Sequence, residues 1–199
     1  MKNNNYFKKT MLVATLVIAA LLITSCGNRQ SSQDSKDVAE DRNEERFDDR
    51  KQVNDAQLLV DAAEFNLMQI QLGQLAQQKG STSNVKELGK MMEEAHTKLQ
   101  RDLTAFAGRK SMTIPTTPTE NVRDTYKDLN EKSGNDFDKA YGDIMVNKHE
   151  DAIKKFEKAT TDRNDTDIVN WAIAMLPGLR SHLNHSIESK KKSDELASN

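Results

Sequence analysis

Between Asn54 and Lys79 the apolar residues fall at Leu58, Ala62, Phe65, Leu72 and Ala76, in steps of three or four with one missing turn held by Gln69. That spacing keeps a single stripe on one face and predicts an amphipathic helix. Gly80-Ser81-Thr82 breaks it, and Ser83 or Asn84 can cap the next. A second stripe runs through Val85, Leu88, Met92, Ala95, Leu99, Leu103 and Phe106. The link between the two is short, so they form an antiparallel hairpin. A third stripe opens after Ser133, with Asp136 three residues on, and uses Phe137, Tyr141, Ile144, Met145, His149, Ala152 and Phe156. A fourth opens at Asn164 or Asp165 and uses Ile168, Trp171, Met175, Leu179, His182, Leu183 and Ser186. Each helix is about 26 residues, or near 40 Å long.

Residues 109–132 interrupt the pattern. Pro115 and Pro118 stop any helix, and Thr119 to Glu131 has room for a short one only. A connection of this length can extend to roughly 80 Å, enough to travel the whole length of a bundle. Two hairpins joined in this way predict an all-α, ferritin-like four-helix bundle over residues 54–192, with a long helix 2–3 connection carrying a short extra helix. A simple up-down bundle with a decorated loop fits the same pattern. Residues 193–199 are expected to be a disordered tail.

The start of the chain is different in kind. Lys2, Lys8 and Lys9 precede a 13-residue apolar run, Met11 to Ile23, which is short for a bilayer span. Ile23-Thr24-Ser25-Cys26 follows, and Cys26 is the only cysteine. Residues 1–25 read as a secretory signal peptide, and the junction resembles a bacterial lipobox. That resemblance implies cleavage before Cys26, a diacylglycerol on its sulfur and an acylated amino terminus, so membrane lipid is the first expected partner. Gly27, with no aspartate after the cysteine, implies the outer membrane as the default address, with the domain expected to face the periplasm and exposure at the cell surface as the alternative. Residues 26–53 read as the lipidated cysteine and a charged tether. Positions 27–52 hold six basic and eight acidic residues and almost nothing apolar, too little to fold alone. Without the leader the chain has 26 basic against 31 acidic residues, which argues against nucleic acid. No thiol remains for disulfides, so packing alone must hold the exported domain. No phosphate loop, nucleophile elbow or HExxH motif occurs, so no catalytic residue is named and a non-enzymatic role is expected.

The spelling of the helices adds a relationship. Leu72-Gly73-Gln74-Leu75-Ala76, Val85-Lys86-Glu87-Leu88-Gly89 with Met92 and His96, Phe137-Asp138-Lys139-Ala140-Tyr141 with His149, and Leu176-Pro177-Gly178-Leu179-Arg180 with His182 occur in that order. Together they resemble the bacterial domain of unknown function 4142 family over roughly residues 54–188. The resemblance implies a ferritin-like bundle in the cell envelope and no settled activity. It also implies a glutamate where this chain has Gln69 and an aspartate where it has Ala95.

Three apolar stripes carry a histidine near the middle of their helix: His96, His149 and His182. Gln69 falls at the same level of the first. One reading is a metal site, since neutral imidazoles suit zinc, copper or iron and bundle interiors host such sites. Glu93 and His96 make one Glu-x-x-His, but a di-iron carboxylate centre needs two such motifs and further glutamates. A three-histidine mononuclear site is what remains of that idea. The other reading is a polar core layer in which His96, His149, His182, Gln69 and Tyr141 satisfy one another or hold a water. The leading expectation is an envelope lipoprotein with a structural or interaction role and an envelope protein partner. No cofactor is assigned with it; the metal-binding bundle is the alternative.

Overall fold

The computed structural model describes residues 33–162 and 165–197. The described residues form six helices and no strands: α1 (Ser35–Arg46), α2 (Arg50–Lys79), α3 (Ser83–Arg109), α4 (Glu120–Asn130), α5 (Gly134–Asp162) and α6 (Thr166–Ala197). The protein is all-α. No helix among the described residues is long and apolar enough to cross a membrane.

The four long helices pair as hairpins, α2 with α3 and α5 with α6; α2 also packs on α5, and α3 on α6. The first hairpin is unusually close. A Cβ added at Gly73 would lie 2.6 Å from the Gly89 carbonyl oxygen, and one at Gly89 would lie 2.7 Å from the Ala76 Cβ. Only hydrogen at these two positions lets the backbones meet.

The connection from α3 to α5 travels the length of the hairpins. It leaves α3 beside the α5–α6 turn, where Lys110 pairs with Asp165 at 2.8 Å and Asp167 at 2.6 Å. It enters α5 beside the α2–α3 turn, where buried Asp138 accepts hydrogen bonds from the backbone and hydroxyl of both Ser81 and Thr82. These two residues therefore do not cap α3 with their own side chains; the carboxylate of a distant helix takes their donors. Asp165 does cap α6, accepting from the backbone of Asp167 and Ile168. α4 lies along the connection, and its buried Val122 and Leu129 join the core.

Two expectations about the chain's margins need correction. The stretch expected to be a charged tether is folded from Ser35 onward as α1, followed by α2 from Arg50. Asp34 caps α1, and its small buried face, Ala39 and Asn43, packs inward. Asn43 donates to the Thr113 carbonyl at 2.8 Å and accepts from the Thr113 amide at 2.7 Å. Lys36 reaches Glu64 at 2.7 Å and Asp61 at 3.3 Å, and Gln57 donates to Glu40 at 2.7 Å. A segment with too little apolar surface to fold alone folds here because the neighbouring helix and connection supply the missing partners. At the other end, the expected disordered tail is helical as far as Ala197. Its Ser193 is buried and accepts from Asn84 at 3.3 Å. The signal peptide and Cys26 lie outside the described residues.

The core falls into two apolar clusters. One gathers Leu58, Leu59, Leu103, Phe106, Phe156 and Ile168 around the α5–α6 turn. The other gathers Leu72, Leu75, Met92, Phe137, Tyr141 and Met145 towards the α2–α3 turn. In sequence, His96, His149 and His182 each stand beyond the last cluster residue on one side, and Phe65 and Asn66 hold that place on α2.

Candidate metal centre

Helical periodicity puts His96 on the inner stripe of α3, His149 on that of α5 and His182 on that of α6. Packing brings the three rings together. Their centroids are 5.0 Å apart for His96–His182, 5.7 Å for His96–His149 and 5.6 Å for His149–His182. Phe65 of α2 closes the group, edge-on to His96 and to His149 at 5.1 Å each. One nitrogen from each histidine can be chosen so that all three lie within 4.8 Å of one another. A tetrahedral metal with bonds of about 2.0–2.1 Å sets such nitrogens about 3.4 Å apart, so the rings need close by about 1.4 Å at most.

The hydrogen bonds fix which nitrogens are available. Pro115 offers a carbonyl that can only accept, so Gln100 turns its NH2 to it, at 3.3 Å. That leaves the Gln100 oxygen facing Asn66, whose NH2 donates to it at 3.3 Å. The Asn66 oxygen then faces His96 Nδ1 at 2.9 Å, so Nδ1 carries the proton and Nε2 keeps its lone pair. His149 is fixed more simply. Its Nδ1 lies 2.8 Å from the Met145 carbonyl oxygen, which can only accept, so its Nε2 also holds a lone pair. Among the described residues, His96 Nε2, His149 Nε2 and His182 Nδ1 are buried with no hydrogen-bond partner.

Burial holds all three rings in the neutral state that metals require. It lowers His96 well below the ordinary histidine range, with the neighbouring His149 and His182 adding to the effect. It pushes His149 down to about 4, against the opposing effect of the Met145 carbonyl. His182, only partly buried, is lowered by desolvation first and by His185 second.

The other residues singled out in the sequence fall elsewhere. Glu93 does not join the histidines; its carboxylate accepts from Gln74 at 2.8 Å and Gln77 at 2.6 Å at the α2–α3 seam. Tyr141 stacks on Phe137 at a centroid distance of 6.2 Å, two turns before His149, and its buried hydroxyl has no partner among the described residues. Gln69 is fully buried, and neither end of its amide is partnered among the described residues. The mutually hydrogen-bonded polar layer is therefore not what these residues form. The Nε2 acceptors of His96 and His149 cannot bond each other, and the Tyr141 hydroxyl bonds neither of them.

Asn66 and Gln100 were not singled out from the sequence. Asn66 interrupts no apolar step, and its role depends on a carbonyl in the distant connection. The only local signal is a buried-face asparagine three residues before Gln69.

No curated protein and no solved structure matches the chain. Residues 40–188 match the family model described as Domain of unknown function (DUF4142), and the chain belongs to that family.

Proposed function

We propose that this protein is an envelope lipoprotein whose ferritin-like bundle holds one transition-metal ion on His96, His149 and His182. The observation that carries the metal reading is the fixed tautomer pair. His96 and His149 both aim their remaining chemistry through unprotonated Nε2 atoms, buried and partnerless, beside a third buried ring nitrogen. Direct contacts among these side chains leave both Nε2 lone pairs unsatisfied, at about 1–3 kcal/mol each, and a cation bound between the three rings satisfies them. Metal-binding histidines characteristically donate the other ring N–H to a carbonyl or similar acceptor, as His96 does to Asn66 and His149 to Met145.

The ligand set points to zinc or copper over iron. Three neutral nitrogens without a carboxylate suit those ions, while non-haem iron centres favour a carboxylate among the ligands. The proposed role is metal binding, not turnover. The ferritin-like assignment is supported by the α3–α5 connection, which runs from one end of the hairpins to the other. The lipid anchor is supported by the basic start, the short apolar run and Cys26.

Two measurements test the reading. The full chain, purified without a metal-affinity tag, is incubated with zinc or copper, desalted and analysed by mass spectrometry beside His149→Ala. One ion per chain, lost in the variant, is expected; no bound ion in the parent overturns the metal centre. Cys26→Ser is expected to move the protein from the membrane fraction to the soluble fraction, and an unchanged membrane fraction overturns the lipid anchor.

A further inference from the structure

The three histidines leave a fourth position on a tetrahedral ion, and Gln69 lies one turn along α2 from the residues that touch them. Gln69 is three residues after Asn66 and four after Phe65, so all three share one face of α2. Phe65 touches the rings of His96 and His149, and Asn66 bonds His96. Helical side chains lean back towards the N-terminus of their helix, which for Gln69 is towards the turn carrying those two residues. Its amide is fully buried, yet neither Oε1 nor Nε2 has a hydrogen-bond partner among the described residues. A buried primary amide unpaired at both ends is uncommon and costly. Gln69 lies one helical turn along α2 from Phe65 and Asn66, the two residues that touch the histidine rings.

A single bound group accounts for the unpaired amide and for the partnerless ring nitrogens. The geometry points to Gln69 as the residue that holds the metal's fourth ligand, a water or hydroxide, on the three-histidine centre. The amide suits either form: Oε1 can accept a hydrogen bond from bound water, and Nε2 can donate one to the oxygen of bound hydroxide. Direct coordination by Oε1 would satisfy the same end of the amide but would fill the fourth position and leave none for an added anion, which azide titration distinguishes. The same position then accepts small anions that replace water. This inference rests on the metal reading above and adds to it a residue that positions an exogenous ligand.

The test uses the full chain loaded with one equivalent of Cu2+ and azide as the probe. The parent, Gln69→Leu, Gln69→Met and His149→Ala are compared by copper content, electron paramagnetic resonance and azide titration of the ligand-to-metal absorption band. The parent and both Gln69 variants are expected to hold one copper each. The Gln69 variants are expected to show altered copper hyperfine parameters and azide binding weakened by about tenfold or more, since a hydrogen bond to the bound anion is gone. The metal-free Gln69 variants are expected to melt no lower than the parent, because an unpaired buried amide has been removed. Leucine and methionine together guard against one substitution failing to fold. Copper bound as in the parent, with unchanged spectra and azide affinity, overturns the role of Gln69 and leaves the metal centre standing. A parent that takes up no copper, or takes it up equally in His149→Ala, overturns both.

Discussion

Lowering the pH should destabilise the metal-free protein through His149, by an amount the structure sets. The ring is buried and its pKa is pushed down to about 4 from the ordinary 6.5. Between those values the unfolded chain binds a proton that the folded chain refuses, so stability rises with pH across that window. Above about pH 6.5 the ring is neutral in both states and the full contribution is present. As the pH falls, the contribution shrinks, by about 2 kcal/mol at pH 5 and about 3 kcal/mol below pH 4. Carboxylates titrate in the same range, so the assay is comparative. Urea unfolding of the metal-free protein and of His149→Phe is measured at pH 7.5 and pH 5.0. Phenylalanine keeps the ring volume and the edge contact with Phe65 but has no proton to bind. His96 and His182, also lowered by burial, remain in both proteins and largely cancel. The parent should lose about 2 kcal/mol more than the variant between the two pH values. Equal losses would refute the claim that His149 is held neutral by burial.

Other expectations follow from named contacts. Asn66→Ala removes the acceptor that fixes the His96 tautomer and should weaken metal binding about 10- to 100-fold in a chelator competition. Glu93→Gln should leave that affinity unchanged, because Glu93 faces Gln74 and Gln77. Asp138→Ala strands four donors of Ser81 and Thr82 and should lower stability by roughly 3 kcal/mol in urea unfolding. Gly89→Ala sets a Cβ 2.7 Å from the Gly73 carbonyl oxygen. It should destabilise by about 1–3 kcal/mol despite alanine's better helix propensity, and a neutral result in the same assay would deny the close approach of α2 and α3.

The sequence by itself determined where the long helices lie, because a 3.6-residue period is local and Gly80, Pro115 and Pro118 break the chain at fixed places. It also placed a histidine near the middle of three inner stripes, and the short helix α4 within Thr119–Glu131. Tertiary structure decided the rest. Charge-rich α1 reads as a spacer because nothing within it can hold it folded; Thr113, Glu64 and Asp61 do so from elsewhere. Glu93 stands one turn from His96 in sequence, as a ligand would, but two glutamines of α2 hold it at the helix seam. Periodicity shows that a histidine faces inward, not which of its nitrogens is free. That was settled by Pro115, Gln100 and Asn66, three residues from three segments whose donors and acceptors can be matched in only one order. Stripes are written in local spacing, whereas a ligand set and its tautomers depend on which distant groups share one buried layer.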